Sequence, residues 1–457
     1  MSQISKIKYS DIQEVKRFDA EYFRPFNLLA EKLITTSNFA YLEKLGKFII
    51  GPFGSTVKVE DYVEEKEYKY IRGKDIKNGV LIDVDNSAIT KVKFDSLPKY
   101  HLKNNDVLIT VVGTLGNVAI YRDSFGPAIF SCKSTIFRSN KINPEFLMIF
   151  LDTKYGRSLL MRNERGAIQK GFNLPDLKKI PVPIFSDLFY QSINDMVLLS
   201  YKKQTQSKLL YKEAEEILLK ELGLLNYEIK HTLAFGTTKK KIDEAKRYDS
   251  EYFQPKYKDI IKKIEKYDGG YFKLSDKNYA KISRGTLIPD SFYNSEKGNP
   301  YIRGADFSSG ILGNDKLVFI DNSFQKTRET IVRENDIVFS LIGSVGATAL
   351  VPKDFDNSFI SNNTGKVSIK NFEPIVLQII FQSIIGKFQF EKEKTQTAQP
   401  KISSDQVGNF KIPLIKPSIQ KQIAEKIQES HKLRKESKDL LEEAKRKVEE
   451  EIEKPAG

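Results

Sequence analysis
The sequence predicts an α+β chain in which two homologous mixed α/β domains are joined by two long helices packed as an antiparallel coiled coil. Three observations predict it. The phrase "RFDAEYFRP" at Arg17–Pro25 returns as "RYDSEYFQP" at Arg247–Pro255, 247 − 17 = 230 residues later. Further phrases return in the same order at nearly the same offset, which marks one duplicated unit, too long for a solenoid repeat. Each copy closes on a stretch rich in Lys, Glu and Leu and almost free of Gly and Pro, the pattern of a single long helix.

The first domain is expected over 1–185 and the second over 246–415. "YIRGKDIKNGVL" from Tyr70 matches "YIRGADFSSGIL" from Tyr301, and "NNDVLITVVGTLGNVAI" from Asn104 matches "ENDIVFSLIGSVGATAL" from Glu334. "LKKIPVPI" from Leu177 is echoed by "VGNFKIPLI" from Val407. Short β-rich runs, Gly turns and scattered Pro give both domains a mixed α/β character. Spacer helices are expected over 186–224 and 416–454, with a linker over 225–245. Their seam repeats at heptad-like spacing. Ile193, Val197, Ser200, Ser207, Leu210 and Ala214 in the first helix answer to Ile423, Ile427, Ser430, Ser437, Leu440 and Ala444 in the second. Leu218 and Val448 continue the pattern. Small residues recurring on a seam let two backbones approach closely. An amphipathic helix lying on its own domain would also carry a stripe, but the great length and shared small-residue rhythm favour pairing between the two. The order domain, helix, linker, domain, helix makes the pairing antiparallel. At 1.5 Å per residue each helix is ~50 Å long, which suits a spacer.

The 457 residues are 40% hydrophobic and 29% charged, as expected for a folded multidomain protein rather than a disordered one. A net charge of +14 favours a polyanion such as DNA or RNA, or an acidic membrane face, although a lysine-rich proteome would give the same excess. "MSQISKIKYSDIQEVKRF" has no apolar signal-peptide core, and no apolar run is long enough to cross a membrane. The single cysteine, Cys132, excludes an internal disulfide framework. A cytoplasmic location, away from membranes, is expected.

The two "R-[FY]-D-x-E-Y-F-x-P" openings, the two "YIRG" boxes, the paired "NDVLITVVGTLGN" and "NDIVFSLIGSVGA" segments, and "IPVPI" and "KIPLI" each running into a long helix form two ordered sets. In this the chain resembles the DNA-specificity (S) subunits of type I restriction–modification systems, over nearly its whole length. The resemblance implies two target-recognition domains, each reading half of a bipartite asymmetric DNA target. It implies helices that set the gap between the half-sites and dock methyltransferase (M) subunits, expected as two copies, with restriction (R) subunits joining through that assembly. It implies a non-catalytic chain without a cofactor of its own; S-adenosylmethionine and ATP with Mg belong to the partners. Related type II enzymes use the same kind of subunit, so the partner system stays open. A coiled-coil scaffold that reads no DNA is the remaining alternative.

Duplication sorts the candidate DNA contacts. A residue shared by both copies cannot encode two different half-sites; it builds the scaffold or grips phosphate, whereas one that differs is free to read bases. Arg72 and Arg303 fall in the first class, for phosphate contact, loop positioning or a structural ion pair, and Lys74 lies beside Arg72 in its box. In the "GTLGN" and "GSVG" turns, glycine lets backbone N–H groups approach a phosphate, with Thr114, Asn117 and Ser344 adding polar groups; a plain tight turn has the same signature. In "SCKST" against "SNNTG", Cys132 and Lys133 face Asn362 and Asn363. Lysine suits guanine O6/N7 and asparagine suits adenine N6/N7, so Lys133, Asn362 and Asn363 are candidate base readers. Lys170 and Lys401 read as a matched pair for backbone contact. Lys58, Lys91, Lys297 and Arg328 lie in divergent loops that could hold further readers.

Catalytic patterns are missing. There is no GxxxxGK[ST] loop for ATP, no Asn-Pro-Pro-Tyr box and no Gly-rich cofactor loop after a strand. His101, His231 and His431 are scattered and have no Cys or His partner close in sequence, so no metal site is expected. Cys132 reads as a small packing residue.

Overall fold
The computed structural model describes residues 4–65, 67–77, 79–82, 87–166, 169–229, 232–294, 297–307, 310–313, 317–325, 330–395 and 398–454. Arg328 and His231, named above, lie outside the described residues. The chain divides into two compact units, 1–204 with 434–457, and 205–433. Each unit therefore holds one copy of the duplicated globular domain together with about half of each long helix.

In the first unit, helix α1 (Pro25–Thr35) begins on a proline, whose missing N–H costs nothing at a first helical turn. Four strands follow: β1 (Lys47–Ile50), β2 (Val107–Thr110), β3 (Val118–Ile120) and β4 (Ser134–Arg138). They form one antiparallel sheet in the order β1-β4-β2-β3, with Ile136 facing Ile49 on one side and Leu108 on the other. A second sheet places Lys69–Ile71 between Ser87–Ile89 and Ala128–Phe130, the last pairing parallel. Helices α2 (Pro144–Asp152) and α3 (Lys154–Met161) close the core. The Asn143 side chain accepts the Phe146 N–H at 2.8 Å and Thr153 accepts the Gly156 N–H at 3.1 Å, so a capping residue starts each helix. Phe137, Phe146 and Phe150 are fully buried in this core, each contributing about 1.5–3 kcal/mol on transfer from water.

The long helix α4 (Asp187–Glu221) leads into the second unit. There α5 (Pro255–Glu265) again starts on proline. Strands β5 (Ala280–Arg284), β6 (Ile337–Ser340), β7 (Thr348–Leu350) and β8 (Thr364–Ile369) repeat the first arrangement in the order β5-β8-β6-β7, all antiparallel. Its companion sheet places Asn299–Ile302 parallel to Phe359–Ile360, as in the first unit. Helices α6 (Pro374–Gln382) and α7 (Ile384–Glu393) cover the main sheet, and the second long helix, α8 (Pro417–Glu453), follows. Both units keep a buried aspartate at the start of the strong strand, yet neutralise it differently. Arg138 donates twice to Asp106 at 2.7 Å, whereas Lys366 lies 3.4 Å from Asp336.

Within each unit α4 and α8 run antiparallel. In the first, the Ser200 hydroxyl donates to the Ser437 carbonyl at 2.9 Å, with the two hydroxyls 2.8 Å apart, and Lys203 pairs with Glu436 at 2.6 Å. In the second, Ser207 and Ser430 donate to each other's carbonyls at 2.8 Å, and Lys426 pairs with Glu213 at 2.6 Å. Ile193, Val197, Ala444 and Val448 are fully buried in the first core, and Ala214, Leu218, Ile423 and Ile427 in the second. Leu210 and Leu440 are half-buried. The residues beside them, Tyr211 and Leu441, pack on the second and first cores respectively. No helix of the described residues is long and apolar enough to cross a membrane.

Candidate nucleic-acid interface
One end of each sheet gathers the segments singled out by sequence, and the backbone explains why. In the first unit the Val111 and Val112 N–H groups donate to the Lys133 carbonyl at 2.9 and 3.3 Å. This locks the turn after β2 to the turn before β4. Phe172 N–H donates to the Val111 carbonyl at 3.0 Å, and Arg165 and Gly171 exchange two hydrogen bonds of 2.9 Å, which bring Arg165, Gly171 and Phe172 to the same edge. The second unit repeats these links: Leu341 N–H to the Asn363 carbonyl, Ile402 N–H to the Leu341 carbonyl, and a reciprocal Thr395–Lys401 pair at 2.8 and 2.9 Å.

The "YIRG" boxes sit beside these turns. The carboxylate of Asp75, buried, accepts the Arg72 N–H at 2.8 Å and lies 3.9 Å from its guanidinium; Asp306 does the same for Arg303 at 2.8 and 3.3 Å. Of the roles open to these arginines, the ion pair is the one this geometry contains, and the charge left at the surface is partial. Burial pushes the Tyr70 hydroxyl up to about 12, so the first residue of that box stays neutral. The long helix steadies the box from behind, because Tyr201 donates to the Gly79 carbonyl at 2.8 Å. In the second unit the Gln378 and Gln382 amides, from α6, hold the Gly310 carbonyl at 3.3 and 3.2 Å.

Lys74, Thr114, Lys133, Ser344 and Asn363 are exposed, and Asn362 is half-buried. Asn117 is turned inward: its amide donates to the Ile76 carbonyl at 2.9 Å, tying the turn to the strand that follows the box. Lys170 is exposed and ion-paired with Glu164. Its pairing with Lys401 needs correcting. Lys401 bridges Ile342 and Thr395, and the residue making the corresponding bridges to Val112 and Arg165 is Gly171. Lys170 therefore stands one position away from the true counterpart. Lys58, Lys91 and Lys297 are exposed as well, Lys58 beside Glu60 at 3.4 Å and Lys91 beside Asp95 at 2.6 Å.

Arg284 and Ile50 escaped the sequence reading. Ile50 faces Thr135 and Arg284 faces Gly365, and 135 + 230 = 365, so the two occupy one structural position. Their own offset is 284 − 50 = 234 because the second copy carries extra residues before this strand, and a fixed offset of 230 passes over the match. A glycine follows each. A β-carbon on Gly51 would come within 2.2 Å of the Ser131 carbonyl oxygen, and one on Gly285 within 2.2 Å of the Ile360 oxygen. Only glycine fits where these backbones touch.

A family model described as the type I restriction modification DNA specificity domain matches residues 23–186 and 271–446, once in each copy of the duplication. The chain belongs to that family. Among similar proteins, the EcoBI type I restriction enzyme specificity subunit of Escherichia coli is 29% identical over 125 residues, 24% of this chain and 26% of that protein. The chain thus aligns with about a quarter of the length of that curated relative. A type I restriction–modification S subunit from M. genitalium superposes with a TM-score of 0.43 at 13% identity, over 91% of this chain and 94% of that one. The HsdS subunit of Thermoanaerobacter tengcongensis gives 0.29 at 16%, over 91% and 95%.

Proposed function
We propose that this chain is the DNA sequence-recognition subunit of a type I restriction–modification enzyme. It binds a bipartite, asymmetric double-stranded target and catalyses nothing itself. The observation that carries the reading is that the specificity-domain match falls on both copies. One chain then holds two readers of different sequence. The loop ends around Lys133 in the first unit and around Asn362 and Asn363 in the second meet the bases. Thr114 and Ser344, at one position of the duplication, serve the backbone together with Lys170 and Lys401 from adjacent positions of one loop; Lys74, whose counterpart is Ala305, joins the base-facing group, and Arg72, Arg303 and Asn117 support the loops. The paired helices α4 and α8 set the gap between half-sites and dock methyltransferase subunits, two per chain. Restriction subunits join through that complex, and S-adenosylmethionine and ATP with Mg act in those partners.

Mapping DNA methylation in a host with and without this chain tests the reading. Two short motifs at a fixed gap, lost on deletion, are expected. A methylation pattern indifferent to the chain would overturn it.

A further inference from the structure
We infer that the strand-end position shared by Arg284 and Ile50 is a specificity-determining site, with Arg284 reading a guanine in the second half-site and Ile50 making an apolar contact, such as to a thymine methyl, in the first. This rests on the proposed function and deepens it.

The argument starts from the backbone. In both units the edge strand of the main sheet ends on this residue and runs into a glycine pressed against a neighbouring carbonyl. Gly51 N–H donates to the Ser134 carbonyl at 3.4 Å, and Gly285 N–H to the Thr364 carbonyl at 3.0 Å. The stem is the same, fixed and repeated. The side chain on it is not: exposed arginine in one copy, isoleucine with 51% of its surface exposed in the other.

That contrast separates base reading from phosphate contact. The phosphodiester backbone is chemically identical in both half-sites, so a residue gripping it has no reason to change from cation to hydrocarbon. A residue reading a base edge has one, because the half-sites differ. The arginine is also prepared for the task. Its Nε–H donates to the Asn362 carbonyl at 2.5 Å, which anchors the guanidinium beside the two asparagines of the neighbouring turn. Among the described residues no carboxylate pairs with it and nothing accepts from its two terminal nitrogens. Those nitrogens form the fork that matches guanine O6 and N7. Ile50 has no polar atom to offer; in the major groove the apolar feature it can meet is the thymine methyl group.

The test uses the full chain with its modification partners, reading the methylated motif from the host genome. Arg284→Ala and Arg284→Gln should each relax one guanine in one half-site, lowering its preference by about 5- to 150-fold. The other half-site should keep its sequence, which also certifies that the variant chain folds and assembles. Ile50→Ala should relax a different position, in the other half-site alone. An unchanged motif in both Arg284 variants overturns the inference. So does a uniform loss of binding on every sequence with a salt dependence shallower by about one unit, the mark of a phosphate contact. A variant that abolishes all modification is examined by urea unfolding and by binding of a duplex carrying only the first half-site; loss of that binding in a folded chain counts against the assignment. A wild-type chain that directs no bipartite methylation would sink the proposed function itself, a separate result.

Discussion
Replacing Ser200 separates two contributions to the pairing of the long helices: hydrogen bonding and closeness. Ser200 is 1% exposed, and its hydroxyl donates to the Ser437 carbonyl at 2.9 Å with the Ser437 hydroxyl 2.8 Å away. Ser200→Ala removes that hydroxyl and keeps the small volume. A lost hydrogen bond is worth about 1 kcal/mol net, and stranding a buried partner raises the cost to about 1–3 kcal/mol. Ser200→Leu loses the same hydroxyl and also forces a larger side chain into a filled seam, for about 1–3 kcal/mol more. The expected totals are about 2 kcal/mol for alanine and about 4 kcal/mol for leucine. Urea unfolding of the full chain, followed by circular dichroism, measures both. Leu198→Ala, at a residue 45% exposed on the same helix, is the control and should change stability by about 0.5 kcal/mol or less. If leucine costs no more than alanine at position 200, the helices do not depend on close approach and the seam argument fails.

Three further outcomes follow from the same geometry. Gly285→Ala should destroy recognition of the second half-site while sparing the first, because its β-carbon would meet a carbonyl at 2.2 Å; methylation mapping that shows both half-sites intact would contradict the contact. Asp19 and Asp249 accept hydrogen bonds from Arg17 and Arg247, which hold their carboxyls below the usual 3.8. Their contribution to stability is therefore full above that value and fades as pH falls through the lower folded-state value. Asp19→Asn should lower the urea midpoint at neutral pH and flatten its fall in acid; parallel pH curves for wild type and variant would show that the ion pair adds nothing. Removing one heptad from both long helices takes away ~10 Å of rod and should shorten the preferred gap by about 3 base pairs, as read from the methylated motif. An unchanged gap would end the spacer claim.

Much of the architecture was legible because duplication supplies an internal comparison. "NNDVLITVVGTLGNVAI" and "ENDIVFSLIGSVGATAL" form the same pair of strands, and the serine rhythm of the long helices marks where their backbones meet. What escaped the reading escaped for physical reasons. Leu210 and Leu440 each stand one position off the heptad: counting by sevens from Val197 to Leu218 passes through Tyr211, and from Ile427 to Val448 through Leu441, and those two are the residues that pack on the cores. Lys170 and Lys401 looked equivalent because both follow a glutamine-bearing loop, whereas the hydrogen-bonded bridges that define the register pass through Gly171. Asn117 is polar and sits in a turn, which sequence cannot tell from a ligand contact; its amide serves the neighbouring strand. At the candidate interface the turns were foreseen and the strand ends were not, since Ile50 lies in an apolar run and attracts no functional reading.

The crowded glycines beside Ile50 and Arg284 bear on how such a chain can diversify. They fasten the stem without involving the side chain that precedes them. Under the proposed reading, a single codon change at position 50 or 284 alters what is recognised while the glycine stem stays as it is. Under that same proposal a new recognition sequence lies one genetic step away, and a modification partner guided by the chain would change target at the same moment.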